Sequence, residues 1–435
     1  MWSDLRNREL GDIHPILFSN AIRKRRFCNL TISNYKEIVS PHNGGVNSLR
    51  IDLIENRYLL SGASDGSVST FDTQYTTDYE GGGLIGKHKP LFVIDRHCGG
   101  HKYAVSSVSW YPVDTGLFVT GSYDHYVKVW DTNSTKVVVD FKMPGKVYGS
   151  SMSSIATTHM LIAAGSSDIQ VRLCDIASGA FTHTLTGHRD GIMAVEWSAS
   201  NEWVVMTGGC DSAIRFWDIR RPGCFRILDR VQSLPGRRPP IYERAINEKG
   251  VTIAEDIKNR TKNRRAVLIR DSSGKQLYPR MALSHNLATA HCGWITTLKA
   301  TEDGMHLIST GADSKICLWD IESGYNLPVC FESTNLQMEK PLQLAVTPDS
   351  SLLFVPSMNC IKAFDMWSGK LMKTFPCHYE TTNCCCLNSQ DQELYTGSND
   401  RHILVFSPFN ATIPEVEDGY KRDMLYSSDQ DFWSD

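Results

Sequence analysis

The 435-residue sequence lacks the patterns of a membrane-spanning or disulfide-stapled protein. Its thirteen cysteines include no C-x-x-C pair, so the usual spacings of zinc and thioredoxin-like sites are missing. No run approaches the ~18 apolar residues that a bilayer-crossing helix needs, and the N-terminus has no apolar signal segment. We therefore expect an intracellular protein without membrane association. Its thiols should be reduced, with the cysteine run at 384–386 inside a packed strand.

Motifs that carry catalysis are also missing. The sequence has no G-x-S-x-G elbow, no H-E-x-x-H pattern and no kinase signature set. The segment GGGLIGKH at 81–88 approaches a phosphate-binding loop. However, His88 stands where a Ser or Thr hydroxyl would reach magnesium, and Pro90 follows where a helix should begin. We therefore expect no catalytic residue, no cofactor, no metal site and no small-molecule substrate.

An internal repeat dominates what is present. Seven segments end at an Asp-like position that follows an apolar or aromatic residue, and four of the six successive spacings lie between 42 and 45 residues. These positions are Asp72, Asp131, Asp175, Asp218, Asp320, Asp365 and Ser407. Stretches rich in strand-forming residues lie between them, such as GLFVTGS at 116–122. The period predicts a fold built from similar β-sheet units.

Two further landmarks recur in phase with this position. A His lies 28 or 29 residues before the aromatic residue in five copies, and an Asp lies six residues before it. With the Trp residues, these landmarks are His42, Asp65, His101, Asp124, Trp130, His188, Asp211, Trp217, His291, Asp313, Trp319, His378 and Asp400. The phased pattern resembles the WD40 family over about residues 36–407, although the third and sixth copies are degenerate. The resemblance implies that these side chains and a Ser or Thr form a structural hydrogen-bonded set within each blade.

The same resemblance implies an all-β fold, a seven-bladed WD40 β-propeller. The segment YKEIVSP at 35–41 should complete the seventh blade and close the ring, because the residues after 407 are poor strand formers. We divide the chain into an N-terminal helical extension at 1–34, a propeller at 35–410 and an acidic tail at 411–435. A long basic insertion interrupts the propeller at about 230–288.

The segments outside the repeat are strongly patterned in charge. Residues 221–280 carry 15 Lys and Arg against 6 Asp and Glu, so we expect the insertion to be disordered, as we do the acidic tail. KNRTKNRR at 258–265 is a solvated loop, a nuclear-import signal or a weak nucleic-acid contact. In the extension, HPILFSNAIRKRRF at 14–27 predicts an amphipathic helix that either faces a partner or packs on the propeller.

One repeat carries a residue that the others lack. Two positions after the Asp-like residue, Arg occurs in the fourth copy alone, as Arg220. The WD-x-R element resembles the docking signature of substrate receptors of cullin-4 ubiquitin ligases, which an N-terminal helical segment assists. The resemblance implies an adaptor-binding set of Asp218, Arg220, Leu17, Phe18 and Ile22, with Arg220 on the face away from the basic insertion. Arg suits this role because its planar fork stays charged when it is desolvated.

Longer stretches narrow the resemblance. HNGGVNSLRID at 42–52, GHRDGIMAVEWS at 187–198 and QELYTGSNDRHIL at 392–404 are similar to the Cockayne syndrome A family, in a plant-like version. This implies a non-catalytic substrate-recognition subunit of a nuclear cullin-4 RING ubiquitin ligase in transcription-coupled nucleotide excision repair. The implied partners are the damage-binding double-propeller adaptor, cullin-4 and a RING subunit through that adaptor, and a Cockayne syndrome B-type translocase with stalled RNA polymerase II. The alternative is a chromatin or RNA-processing scaffold that binds peptides on its top face and nucleic acid through the basic loop.

Overall fold

The computed structural model of the protein describes residues 2–80, 85–97, 99–230, 289–336 and 340–408. The predicted acidic tail, and the predicted basic insertion apart from its first residue, lie outside this part of the chain. Two helices come first, α1 (Trp2–Glu9) and α2 (Pro15–Cys28). Across the described residues, no helix has the length and apolar character to cross a membrane.

The other described elements are strands. In chain order they are β1 (Thr31–Ile32), β2 (Lys36–Ile38), β3 (Val46–Ile51), β4 (Tyr58–Ala63), β5 (Val68–Asp72), β6 (Asp78–Glu80), β7 (Ile85–His88), β8 (Pro90–Ile94), β9 (Val105–Trp110), β10 (Leu117–Ser122), β11 (Tyr126–Asp131), β12 (Lys136–Lys142), β13 (Val147–Met152), β14 (Leu161–Ser166), β15 (Gln170–Asp175), β16 (Ala180–Thr186), β17 (Ile192–Trp197), β18 (Val204–Gly209), β19 (Ile214–Asp218), β20 (Cys224–Leu228), β21 (Ile295–Ala300), β22 (His306–Gly311), β23 (Ile316–Asp320), β24 (Ala345–Val346), β25 (Leu352–Ser357), β26 (Cys360–Asp365), β27 (Leu371–Pro376), β28 (Thr382–Asn388), β29 (Glu393–Ser398) and β30 (Ile403–Ser407). Strands such as β14, β25 and β29 are buried at every position, because their sheets pack on both sides against neighbouring sheets.

Six of the sheets are blades of the ring. They are blade one (β3, β4, β5, β8), blade two (β9 to β12), blade three (β13 to β16), blade four (β17 to β20), blade five (β21 to β23) and blade six (β24 to β27). The innermost strands contact one another around the ring, and the Thr297 hydroxyl donates to the Leu342 carbonyl between blades five and six. The all-β propeller predicted from the repeat is confirmed.

A seventh sheet, here called the closing sheet, joins both ends of the described chain. Its strand order is β28-β29-β30-β2-β7-β6, and β1 pairs with the end of β30. Strand β2 pairs with β30 through Ile38 and Ile403, so the predicted closure is present. The prediction of seven regular four-stranded blades is wrong, because six blades are accompanied by one seven-stranded composite sheet. The extra strands cover the edge that β2 would otherwise leave unpaired.

Residues 77–100 are more than the long connection that the repeat spacing predicts. Strands β6 and β7 pair antiparallel and extend the closing sheet, and β8 is the outer strand of blade one. His88, at the end of the segment that approaches a phosphate-binding loop, is buried with Nδ1 2.7 Å from the carbonyl oxygen of Asp72. Spacing shows that an insertion exists, but it cannot show that the insertion pairs with a distant sheet edge.

The phased landmarks meet in buried hydrogen-bonded sets. In blade four, His188 Nδ1 lies 3.0 Å from Asp211, and His188 Nε2 lies 2.8 Å from the Thr207 hydroxyl. Trp217 Nε1 donates to the same hydroxyl at 2.8 Å. Each set therefore ties the turn before the third strand to the segment that enters the blade, and fills the space between strands with a large aromatic ring.

Other sheets repeat or vary this arrangement. The full set recurs in blade two with His101, Asp124 and Trp130, and in blade five with His291, Asp313 and Trp319. In the closing sheet His378 contacts Asp400, and Phe406 occupies the Trp position. Blade one departs from the pattern, because Ser67 lies between His42 and Asp65 and bonds to both.

Helix α2 packs one face on the ring. Phe27 is buried beside Phe354 of blade six, with 6.3 Å between ring centroids, and joins a core cluster with Phe406 of the closing sheet. At the other end, the His14 ring accepts the backbone N–H of Ile16, and Pro15 occupies the first turn. The helix therefore packs on its own propeller and still leaves its N-terminal turn exposed.

A buried ion pair holds β2 in the closing sheet. Lys36 Nζ lies 2.6 Å from Glu393 Oε2 and donates to the Tyr395 hydroxyl at 2.9 Å. The Tyr395 hydroxyl in turn donates to Glu393 at 2.5 Å, and all three side chains are buried. Each buried charge thus has both an opposite charge and a hydrogen bond to offset its desolvation.

We expect Lys36→Met to lower the free energy of unfolding by about 3 kcal/mol, because Glu393 is then buried without its cation. The double variant Lys36→Met/Glu393→Gln should recover most of this loss, since no buried charge remains. Urea unfolding measures both. Lys87→Met is the control, because its pair with Glu37 in the same sheet is longer, at 4.0 Å, and more exposed, so its loss should cost less than about 1 kcal/mol. A single Lys36 variant as stable as the parent would contradict the assignment.

The two ends of the insertion lie side by side. Arg230 donates its backbone N–H to the Thr289 carbonyl at 3.0 Å, and Ala290 donates to Ser212 at 2.9 Å. We expect deletion of residues 232–286 to leave the ring folded, because a short linker can join ends that already meet. Thermal unfolding should shift by less than about 4 °C. An aggregated or unfolded deletion variant would show that the insertion belongs to the core.

Candidate partner-binding face

The ring has two faces that the strand order defines. The turns after Asp218 and its equivalents lie on one face, with the turns that join first and second strands, and we call this the WD face. The turns that join second and third strands, such as that of Asp211, lie on the opposite face with the His-bearing segments, and we call this the His face. The alternation follows because successive strands of each blade are antiparallel.

Arg220 lies in the WD-face turn of blade four. Strand β19 ends at Asp218, whose Oδ1 accepts the backbone N–H of Arg220 at 3.0 Å. The guanidinium then makes a fork, with Nε 3.0 Å from Oδ1 and Nη2 3.0 Å from Oδ2 of the same carboxylate. Because three bonds converge on one carboxylate, both the turn and the long side chain are held in one geometry.

The surroundings leave this fork accessible. The Asp218 side chain is 8% exposed, whereas that of Arg220 is 50% exposed. The guanidinium carbon lies 5.4 Å from the centroid of the Trp203 ring, which comes from the preceding WD-face turn of the same blade. The bonds from Arg220 hold the pKa of the Asp218 carboxyl below its usual range, so the pair is charged at neutral pH. Arg220 thus presents a pre-positioned cation beside an aromatic ring.

The sister turns hold their Asp in other ways. In blades two, five and six the Asp accepts a hydrogen bond from a Ser three residues later, namely Ser134 to Asp131, Ser323 to Asp320 and Ser368 to Asp365. In blade one Asp72 instead accepts hydrogen bonds from the guanidinium of Arg57, which lies just before the second strand. Blade four has Arg221 at that position, so its carboxylate lacks the serine hydroxyl and takes the Arg220 fork. Blade four is distinguished by the position of its arginine, which lies two residues after the Asp in the same turn.

Helix α2 lies on the same face as Arg220. Lys24 Nζ lies 2.7 Å from Asp365, which is the equivalent of Asp218 in blade six. Arg26 donates to Gln392, which lies in the turn between the first and second strands of the closing sheet. The two predicted parts of the adaptor-binding set therefore lie on one face, although about 200 residues separate them in the sequence.

The predicted residues of α2 differ in accessibility. Leu17 is 64% exposed, whereas Phe18 is 8% exposed and lies under the Arg8 guanidinium at 5.3 Å. Ile22 is partly buried and lines a groove with Phe18. Phe18 thus joins α2 to α1 and does not present its ring to a partner, a distinction that helical spacing cannot make.

The residues that flank the basic insertion lie on the face opposite Arg220. Arg230 and Thr289, where the insertion leaves and re-enters the described chain, adjoin Ser212 at the start of β19. Arg220 follows the other end of the same strand. The length of one strand therefore separates the roots of the insertion from the candidate interface.

The sequence analysis missed apolar side chains on the WD face. They are exposed in the turns between first and second strands of different blades: Leu53, Ile54, Val113, Ile155 and Met305. A cavity of about 260 Å³ opens among these turns at the ring centre. Each residue is ordinary in its own repeat, and only closure of the ring gathers them. Among the residues that the structure describes, no group of three or more His, Cys, Asp or Glu could hold a metal ion.

Comparison with known proteins agrees with this architecture. A family model described as "WD40: WD domain, G-beta repeat" matches residues 90–131, 179–218, 284–320 and 369–407. The chain belongs to the WD40 repeat family, since a relative of that class also matches it from end to end. This relative is the WD repeat-containing protein ATCSA-1 of Arabidopsis thaliana, which is 54% identical over 455 aligned positions that cover 100% of both chains.

Other relatives match only part of the chain. The ribosome biogenesis protein WDR12 homolog of Drosophila yakuba is 27% identical over 196 residues, 44% of this chain and 45% of its own. Radiation-sensitive protein 28 of Saccharomyces cerevisiae is 25% identical over 225 residues, 50% of this chain and 38% of its own.

Variants of Phe18 and Leu17 should distinguish a side chain that stabilises α2 from one that is exposed to a partner. We expect Phe18→Ala to loosen α2, because it removes a buried ring at a cost of up to about 3 kcal/mol. Leu17→Ala should leave the helix intact, because the side chain is exposed. Limited trypsin digestion at residues 23–26 reports the difference, with the melting temperature of the ring as control. Equal digestion of the two variants would contradict the assigned roles.

Proposed function

We propose that the protein is the substrate-recognition subunit of a nuclear cullin-4 RING ubiquitin ligase that acts in transcription-coupled nucleotide excision repair. The full-length similarity to ATCSA-1 supports this assignment, as does the resemblance of several blades to the Cockayne syndrome A family. The role is positional and non-catalytic, because ubiquitin transfer belongs to other subunits.

The observation that carries the proposal is the geometry of Arg220. Its fork is ordered by Asp218 before any partner arrives, so little side-chain entropy is lost when it is buried in an interface. A guanidinium beside Trp203 suits carbonyl or carboxylate groups of the double-propeller adaptor. Cullin-4 and the RING subunit join through that adaptor.

Helix α2 and the apolar turns extend the docking surface. Leu17 supplies an exposed aliphatic side chain, and Ile22 an adjoining partly buried one. Leu53 and Val113 add apolar contacts near the ring centre, where an interface needs a desolvated core around its charged anchor. In this proposal Phe18 acts by positioning α2.

In this proposal the His face binds the repair partners. Tyr103, Trp294 and Tyr379 are exposed there, each within three residues of the structural His of its sheet. Exposed aromatic residues favour protein contacts. We assign this face to a Cockayne syndrome B-type translocase at stalled RNA polymerase II, and the basic insertion rooted on the same face to nuclear import or a weak nucleic-acid contact.

We expect Arg220→Glu to weaken adaptor binding by more than about tenfold, because it replaces the interfacial cation with a charge that repels the adaptor's acceptors and Asp218. Co-purification of the full chain with the adaptor, followed by titration, measures the loss. The melting temperature should change by less than about 4 °C, because the side chain lies outside the core.

Arg189→Glu is the matched control. Arg189 is an exposed arginine of the same blade on the His face, so its reversal changes the net charge equally and should preserve adaptor binding. Unchanged co-purification of the Arg220→Glu variant would refute the docking assignment. Equal losses of adaptor binding in both variants would show that the change in net charge, and not the position of Arg220, weakens binding.

The second candidate is a chromatin or RNA-processing scaffold. The observation that favours it is the similarity of nearly half the chain to proteins named for ribosome biogenesis. A scaffold would bind nucleic acid through the basic insertion and would not bind the adaptor. Salt-dependent binding of the full chain to RNA, lost on deletion of 232–286, together with no adaptor capture would favour this candidate.

A further inference from the structure

A groove of about 310 Å³ runs beside α2 on the WD face. Pro15, Phe18 and Ile22 give it an apolar floor, and Arg8, Arg23 and Arg26 line it. The lining contains no acidic side chain among the described residues. An apolar floor with a cationic rim is complementary to a peptide that carries aromatic residues between carboxylates.

The charge of α2 is strongly one-sided. Its sequence PILFSNAIRKRRFC has four consecutive basic residues at 23–26 and no acid. Lys24 pairs with Asp365, outside the groove lining. Arg8 and Arg23 line the groove, and no acidic side chain stands among its described lining residues.

The chain carries a segment of the matching chemistry. Residues 429–435 read DQDFWSD, with three carboxylates around the adjacent aromatic residues Phe432 and Trp433. This segment belongs to the tail beyond residue 408, outside the described residues. Aromatic rings would cover Phe18 and Ile22, and the carboxylates would meet the arginines of the rim.

The tether brings the tail to this groove. The tail follows β30, whose end at Ser407 pairs with Thr31, three residues after α2 ends at Cys28. Twenty-four residues lead from Pro408 to Phe432, which as a coil span roughly 27 Å, and the 14-residue α2 is only about 21 Å long. Such a tether holds the segment at an effective concentration in the millimolar range.

We infer that residues 429–435 dock in the groove between α1 and α2. The docked tail covers Ile22 and the arginine rim. If α2 binds the adaptor as proposed above, the tail competes with the adaptor for this part of the WD face. Docking itself does not depend on that function, whereas the competition does.

Hydrogen exchange of the full chain tests the docking directly. The variant Phe432→Ser/Trp433→Ser keeps the tail length and leaves α2 unaltered. We expect amides of α2 to exchange roughly tenfold faster in this variant, because the tethered ligand no longer protects them. The same acceleration should appear in the parent protein at high salt, which screens the carboxylate–arginine contacts. Identical exchange of parent and variant at low salt would overturn the inference.

Charge reversal tests the specificity of the contact. Arg23→Glu should accelerate exchange in α2, and Asp429→Lys/Asp431→Lys in the same chain should restore protection. Arg25→Glu, on the same helix but outside the groove lining, is the control and should leave protection unchanged. Failure of the swap to restore protection, or equal effects at both arginines, would count against docking in this groove.

The docking of the tail and the proposed adaptor binding are tested by separate measurements. All exchange measurements are made without the adaptor, so their outcome does not depend on whether Arg220 binds the adaptor. Adaptor titration then tests the competition: the Phe432→Ser/Trp433→Ser variant should bind the adaptor several-fold more tightly than the parent. Unchanged affinity, with the exchange result intact, would remove the competition and keep the docked tail.

Discussion

The pairing of β2 with β30 is the constraint on which the rest of the molecule depends. A ring of sheets is stable only when its first and last elements meet, because an open ring leaves apolar blade faces and a strand edge in water. Here an N-terminal strand enters the last sheet, and Lys36 is anchored to Glu393 and Tyr395 inside it. Strands β6 and β7 then cover the outer edge. Closure brings α2, blade six and the WD-face turns together.

Within the ring, a repeated polar set allows the surface to vary. The His, Asp and Ser or Thr hydrogen bonds hold the His-face turns, and hydrogen bonds from Ser to Asp hold three of the WD-face turns. Because the backbone is held by these few groups, other turn positions are free to differ. In blade four the guanidinium of Arg220 takes the place of the serine hydroxyl. The same hydrogen bonds that stabilise the turn also hold a positive charge at the solvent-exposed surface.

The two faces carry different chemistry, and this division supports separate partners. The WD face combines Arg220, α2 with its cationic groove, and apolar side chains around the ring centre. The His face carries exposed aromatic residues and the roots of the basic insertion. A receptor that binds an adaptor on one side and its targets on the other needs such an arrangement. A tail that leaves the chain on the WD face can regulate one side without touching the other.

The sequence by itself determined the repeat, its phase, the buried His–Asp–Trp sets and the odd position of Arg220, because each depends on spacing within a single blade. It also showed that residues 35–41 would close the ring. It could not show that β6 and β7 join the closing sheet, that Phe18 is covered while Leu17 is exposed, or that Leu53, Val113 and Met305 share one surface. Those features depend on contacts between residues far apart in the chain. Only the tertiary structure decides them, because ring closure determines which edges, helix faces and turns become neighbours.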